Sequence, residues 1–228
     1  MPPKTFSIAH IPLRPPTPLA WDGAVWGGMP SLYIDQFRPE GSAHRPRTRV
    51  KLAWASEGLC GLFEVLDKHV RCTRTHFQAE VYKDSCVEFF IQPKAQAGYF
   101  NFEFNCGGTL LASYITDPTR TETGFKAFTR LSPLQGDQVE VFHSMPQIVD
   151  PEIGEETLWH LGFFIPFDLL ESYVGPLGQI SGQRWRGNLY KCADDSSHPH
   201  WGAWAPVDAL NFHLPHCFGD FDYKQPER

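Results

Sequence analysis

Acidic and amide side chains alternate with large apolar ones in "VEFFIQPKAQAGYFNFEFNCGG", residues 87–108. Successive side chains of a strand point to opposite faces of the sheet, so Glu88 shares a face with Asn101, Glu103 and Asn105, and the phenylalanines between them form a core face. Carboxylates accept hydroxyl hydrogen bonds, amides donate and accept them, and aromatic rings cover the apolar face of a sugar. The pattern predicts a face that binds vicinal hydroxyls; a plain solvent-exposed sheet is the alternative.

Glu88 and Glu103 also allow a second kind of chemistry. Two carboxyl groups about 5 Å apart are what a retaining glycosidase uses. Adjacent strands give that spacing without any catalytic role, so a glycoside hydrolase is the alternative and a non-catalytic role is the main prediction.

Two further alternatives involve histidines. His198, His200, His213 and His216 lie in one C-terminal stretch, and His-x-His on a strand would suit zinc. Pro199 and loop-like surroundings favour ordinary surface histidines, and the sequence places no carboxylate or cysteine at ligand spacing beside them. We therefore predict no metal.

Haem is the second histidine alternative. His143 and Met145 are two residues apart and would face the same side of a strand, but a Cys-x-x-Cys-His motif is absent, so only non-covalent haem would fit. We predict no cofactor.

Composition indicates an all-β protein. The chain has 228 residues, 42% hydrophobic and 14% aromatic, with 19 Gly and 20 Pro. Such a composition favours many strands joined by tight turns. The formal net charge of -6 gives no general attraction to phosphate backbones or anionic lipid, so neither nucleic acid nor a membrane is an expected partner. The oligomeric state does not follow from the sequence.

The expected location is cytoplasmic, with secretion by another route as the alternative. The N-terminus has no unbroken apolar stretch of signal-peptide length. The six cysteines are spread over a chain that can bury its own core, so we expect mostly reduced thiols.

The elements that position these residues follow from alternation and turn signals. The alternation over residues 47–67 predicts a hairpin that turns at Ala55 to Gly58. The segment "IPFDLLESYVG" predicts one short helix that begins after Pro166 and ends before Gly175. Further strands are predicted over residues 85–92, 99–106, 108–115, 126–131, 138–145, 157–165 and 184–192.

Two regions follow from this pattern. Residues 1–20 are rich in proline and predict an extended N-terminal arm without regular structure. Residues 21–228 predict a single β-sandwich domain of nine or more strands.

Four segments in this order, "KDSCVEFFIQP", "YFNFEFNCGGTLLASY", "WRGNLYKC" and "WAPVDALNFHLPHCFGDFDY", carry a resemblance. They resemble the signatures of the family 9 carbohydrate-binding modules, β-sandwich domains attached to xylanases and also found alone. The resemblance covers about residues 20 to 223. It implies a jelly-roll or immunoglobulin-like sandwich that binds sugar ends between two tryptophans.

The resemblance also implies site residues. Glu88 matches the acidic residue of the Asp-Ser-Val-Glu run, and Asn105 and Asn188 match polar residues of neighbouring strands. Of the two tryptophans between which the family binds a sugar, the first is replaced here by Val81, with Tyr82 beside it. The family's second tryptophan is replaced by Phe212, and Glu103 stands where the family has an arginine. The predicted saccharide site is therefore Tyr82, Glu88, Glu103, Asn105, Asn188 and Phe212, with xylan among the expected polysaccharides.

Overall fold

The computed structural model describes residues 3–16, 18–122 and 124–225. Its strands, in chain order, are β1 (Thr5–His10), β2 (Leu32–Ile34), β3 (Gln36–Phe37), β4 (Arg47–Ala55), β5 (Gly58–Asp67), β6 (Val70–Cys72), β7 (Cys86–Gln92), β8 (Tyr99–Asn105), β9 (Leu110–Thr121), β10 (Gly124–Arg130), β11 (Glu140–His143), β12 (Val149–Ile153), β13 (Thr157–Pro166), β14 (Arg184–Cys192), β15 (Trp201–Ala203) and β16 (Gly219–Tyr223). The helices are α1 (Pro133–Gly136) and α2 (Phe167–Val174), and short 3-10 turns lie at Val81–Lys83 and Pro215–Cys217.

The strands form the two layers of an all-β sandwich. One layer has the order β10-β9-β8-β7-β14-β16, with β15 beside β14 and β3 beside β15. The other has the order β4-β5-β13-β11, with β2 beside β4. Strands β6 and β12 form a separate small pair. The predicted fold class is confirmed.

Strand β1 belongs to both layers. Thr5 to Ile8 pair in parallel with β16, and Ala9 and His10 pair in parallel with β4. The expectation of an irregular arm over residues 1–20 is corrected here. Ile8 is buried in the core, which favours an extended strand that alternates between core and surface. Residues 1, 2 and 17 lie outside the described part.

The core lies between the two layers and is rich in phenylalanine. The Phe163 ring of β13 stacks on Phe89 of β7 at 5.4 Å and on Phe104 of β8 at 5.5 Å between ring centroids. The phenylalanines of residues 87–108 therefore face the core, as strand alternation predicted. Trp159 and Trp185 are also buried in this core.

The predicted hairpin and helix are both present. Strands β4 and β5 pair throughout, and Ala55 lies opposite Gly58 at the turn. Helix α2 ends at Val174, and Gly175 follows with a positive φ of 70°, a conformation that glycine adopts readily. Among the described residues, no helix is long and apolar enough to span a membrane.

A buried ion pair joins the two layers. Lys191 of β14 lies 3.1 Å from a carboxylate oxygen of Asp67 in β5, and both side chains are 0% exposed. His44 contacts the other Asp67 oxygen at 2.6 Å, and His200 lies 2.8 Å from the Lys191 ammonium. Burial alone would raise the pKa of Asp67, but the Lys191 charge and the His44 hydrogen bond lower this pKa to about 2.

We predict that Lys191→Met lowers the free energy of unfolding by about 3 to 5 kcal/mol, because it leaves the Asp67 carboxylate buried without its partner. The measurement is urea unfolding at pH 7. The double variant Lys191→Met with Asp67→Asn should recover part of the loss. As a control, Arg184→Met removes an exposed pair with Asp222 and should leave the free energy of unfolding nearly unchanged, because solvent screens an exposed pair. Equal losses in the two single variants would contradict the structural role of the buried pair.

Candidate functional site

A cavity of about 740 Å³ lies against the outer face of strands β7, β8 and β9. That volume is typical of small-molecule sites. Its lining combines acidic, basic, amide and aromatic side chains, among them Tyr82, Glu88, Asn101, Glu103, Arg120, Phe125, Asp194, Trp201, Phe212 and His213. The cavity is on the side of β7 and β8 that faces away from the phenylalanine core.

Two carboxyl groups form the floor. Glu88 of β7 and Glu103 of β8 are directly opposite each other in the antiparallel pair, and their exposed fractions are only 2% and 4%. Asn101 donates to Glu103 Oε1 at 2.7 Å, and the Cys192 thiol donates to Glu88 Oε1 at 3.2 Å. Glu103 Oε2 has no partner among the described residues, so an acceptor is left unused at the floor.

Burial sets the protonation of this pair. Loss of water, together with the neighbouring charge of Glu103, raises the pKa of Glu88 well above its usual range. Burial also raises the pKa of Glu103 to about 7, although the Asn101 hydrogen bond and the charge of Arg120 act in the opposite direction. Burial therefore favours the protonated form of Glu88, whereas Glu103 is partly ionised at neutral pH.

One wall is aromatic and comes from the end of the chain. Phe212 stacks on Tyr190 at 4.0 Å with planes 10° apart, and the Tyr190 hydroxyl donates to the Phe212 carbonyl at 2.9 Å. Trp201 donates its indole N–H to Asp194 at 2.7 Å. Tyr82 follows Val81 in the 3-10 turn and donates its hydroxyl to Glu80 at 2.8 Å. These contacts fix the orientation of three rings that border the cavity.

The opposite wall comes from strands β9 and β10. The Arg120 guanidinium lies over the Phe125 ring at 4.3 Å, and the Phe125 ring lies 4.3 Å from that of His213. His213 in turn contacts the Tyr99 hydroxyl through Nδ1 at 2.9 Å. Burial and the charge of Arg120 lower the pKa of His213 well below its usual range, so its imidazole is neutral.

Of the predicted saccharide-binding residues, Tyr82, Glu88, Glu103 and Phe212 line the cavity, and their contact with a saccharide stays a prediction. Val81, at the family's first tryptophan position, is fully buried and does not line it.

Asn105 and Asn188 do not line the cavity, and the expectation that they do is corrected. The Asn105 amide donates to the Arg74 carbonyl and to Asp84, at 2.7 and 2.9 Å. The Asn188 amide donates to the Ala205 carbonyl at 2.9 Å and accepts from the Ala205 N–H at 2.8 Å. Both side chains are fully buried and hold neighbouring backbone in place.

Sequence reasoning missed several lining residues. Strand parity placed Asn101 on the same face as Glu103, but the predicted saccharide site did not include it. Arg120 and Phe125 had no signal, since only the paired length of β9 and β10 brings them over the floor. Asp194 lies two residues beyond the end of β14 and was not among the predicted site residues.

The histidine alternatives gain no support at this cavity. His200 contacts Lys191, and His213 contacts Tyr99. His143 Nδ1 contacts the Met145 carbonyl at 2.7 Å. Neither His143 nor Met145 lines the cavity, so this pair forms no haem pocket there.

Residues 28–223 match the family model described as carbohydrate-binding family 9. The chain belongs to this family. Its members are named as binding modules, which agrees with a non-catalytic role. The comparison with curated proteins found no match.

Solved structures show the same fold. A candidate carbohydrate-binding protein from Bacteroides uniformis matches with a TM-score of 0.81 and 23% identity, over 97% of this chain and 100% of that one. A family 9 module from Caldicellulosiruptor kristjanssonii in complex with glucose matches with a TM-score of 0.63 and 12% identity, over 98% of this chain and 97% of that one. A complex of such a module from the same organism with cellotriose gives 0.65 and 13%, over 98% and 95%. At these identities the likeness concerns the fold.

We predict that Glu103→Gln increases the free energy of unfolding relative to the wild-type protein, and that this increase is larger at pH 8 than at pH 5. A carboxyl whose pKa rises on folding binds more protons in the folded state, so the wild-type protein loses stability between about pH 4.5 and pH 7. Removing the titration should recover up to about 3 kcal/mol at pH 8. Urea unfolding across this pH range measures the effect. The exposed Glu155→Gln serves as the control, and a Glu103→Gln profile parallel to that of the wild-type protein would disprove the shift.

Proposed function

We propose that the cavity binds a saccharide without chemical conversion. The observation that carries this proposal is the pair of buried carboxyl groups, Glu88 and Glu103, at the floor of a cavity bordered by aromatic rings. Family membership supports it, because the family is defined by carbohydrate binding.

The floor suits hydroxyl groups because its carboxyls offer both kinds of hydrogen bond. A carboxyl that burial keeps protonated both donates and accepts, and Glu103 Oε2, which has no partner among the described residues, accepts from a hydroxyl. Asn101 holds the other Glu103 oxygen, so the acceptor is oriented before a ligand arrives. Two adjacent hydroxyls of one sugar ring are the natural partners of two carboxyls on neighbouring strands.

The walls suit the apolar faces of the same ring. Tyr82, Trp201 and Phe212 border the cavity, and aromatic rings stack on the C–H face of a sugar. Phe212 gives less stacking surface than an indole. We therefore propose weak binding, with a dissociation constant in the millimolar range for a monosaccharide, or about 4 kcal/mol.

The proposed ligand class is a gluco- or xylo-configured saccharide. The Caldicellulosiruptor kristjanssonii modules are in complex with glucose and cellotriose, which supports the first configuration. Xylan, which differs from cellulose by the missing hydroxymethyl group of each ring, belongs to the same proposal.

We also propose a cytoplasmic location. The six free cysteines support it, because the cytoplasm is a reducing compartment.

Calorimetric titration with glucose, xylose and cellotriose tests the aromatic wall. Phe212→Ala should weaken binding about fivefold or more through lost stacking, and Phe212→Trp should tighten it through a larger stacking surface. Tyr33→Ala is the matched control, because this tyrosine is 52% exposed and lies on the other sheet. Sugar binding that is absent from the wild-type protein, or unaffected by both Phe212 substitutions, would refute the proposed site.

The hydrolase alternative is tested separately. A buried pair of carboxyls with raised pKa values could act as acid and base, so the structure keeps this alternative open to test. Family membership still favours binding, and we predict no release of the aryl group from aryl glycosides by the wild-type protein. Hydrolysis that disappears in both Glu88→Gln and Glu103→Gln would establish an enzyme instead.

A further inference from the structure

Residues 205–218, here called the 205–218 segment, connect β15 to β16 and supply the aromatic wall of the cavity through Phe212 and His213. The segment also brings three metal-ligand side chains together: Asp208, His216 and Cys217. One donor atom of each lies within 4.8 Å of the other two. His216 Nε2 lies 2.8 Å from an Asp208 oxygen.

The local backbone explains this convergence. His216 and Cys217 both belong to the 3-10 turn at Pro215–Cys217. A hydrogen bond from the Cys217 N–H to the Leu214 carbonyl at 2.9 Å closes this turn. Arg186 donates to the Phe218 carbonyl at 2.6 Å, and Arg38 donates to the Val207 carbonyl at 2.9 Å. Both ends of the segment are therefore held, which places Asp208 beside the turn.

The sequence had suggested that His216 lacks a carboxylate or cysteine at ligand spacing. That expectation is wrong, because the fold brings Asp208 and Cys217 beside it. The Asp208 and His216 side chains are 66% and 62% exposed, so an ion can reach them from solvent. Cys217 is half-buried, whereas the other five cysteines are buried.

The donor types select a class of metal. A carboxylate oxygen, an imidazole nitrogen and a thiolate sulfur are all zinc ligands, whereas calcium takes oxygen donors. Donors around tetrahedral zinc are about 3.3 to 3.8 Å apart, given bonds of about 2.0 to 2.3 Å. The three donor atoms lie within 4.8 Å of one another, which is within about 1.5 Å of that spacing. One divalent ion with a carboxylate, a thiolate and a neutral imidazole makes a site of zero net charge.

We propose that Asp208, His216 and Cys217 bind one zinc-class ion, with water at the fourth position, and that this ion fixes the 205–218 segment at the cavity wall. Binding of the ion would replace the hydrogen bond between His216 and Asp208 with two metal–ligand bonds. The metal lies outside the saccharide cavity, since none of its three ligands lines that cavity.

A second group of donors makes the test specific. Cys86, Glu88 and Cys192 also converge within 4.8 Å, but all three are buried, and Glu88 and Cys192 belong to the cavity lining. Both groups contain a thiol, so a metal–thiolate signal alone would not distinguish them. Cys217→Ser and Cys192→Ser separate the two, and His198→Ala is the control for an exposed histidine outside both groups.

The experiment titrates Co²⁺ into the full, chelator-treated chain without saccharide, so its outcome is independent of sugar binding. The expected result is one ion per chain, with a thiolate-to-cobalt charge-transfer band and the visible bands of four-coordinate cobalt. Cys217→Ser should abolish the charge-transfer band, and His216→Ala should weaken binding at least tenfold. Cys192→Ser and His198→Ala should leave both unchanged. Circular dichroism confirms that each variant is folded.

Hydrogen exchange tests the second part of the proposal. Zinc should slow exchange of the amides in residues 205–218 in the wild-type protein and leave them unchanged in Cys217→Ser. The proposal is overturned by a charge-transfer band that persists in Cys217→Ser, by a band lost only in Cys192→Ser, or by the absence of stoichiometric binding. Stoichiometric binding without slower exchange would overturn the role in fixing the segment.

Discussion

The stacking of Phe163 between Phe89 and Phe104 determines which faces of β7 and β8 meet the core. Side chains in a strand alternate with a period of two, so a shift by one residue would exchange the core face and the cavity face. With the phenylalanines fixed inside, Glu88 and Glu103 must face outward and oppose each other. The position of the two carboxyls at the cavity floor is thus a consequence of how β7 and β8 pack on Phe163 of the other layer.

The floor and the walls of the cavity have different structural origins. The floor belongs to paired central strands, whose hydrogen bonds and packing keep the two carboxyls in place. The walls come from the β9–β10 pair, at the edge of that layer, and from the 205–218 segment, which is largely outside the strands. Differences in ligand preference between proteins of this fold can therefore arise in the walls while the floor stays constant.

Strand parity predicted much of the fold and half of the site. It assigned the core face, the β4–β5 hairpin and helix α2, and it placed Glu88 and Glu103 together. It could not show that the amide groups of Asn105 and Asn188 donate to Arg74, Asp84 and Ala205, because those partners are distant in sequence. Lys191 also illustrates the limit: its partner Asp67 is in the other layer, and no local pattern connects the two residues.

Strand β1 has a mechanical consequence through its two parallel neighbours. A force that pulls β1 and β16 in opposite directions along their axes loads all the hydrogen bonds of that pair at the same time, instead of opening them one after another. The contact of β1 with β4 adds resistance from the second layer. The sandwich therefore resists tension in shear, and under load the two layers separate only after this shared strand has slid free.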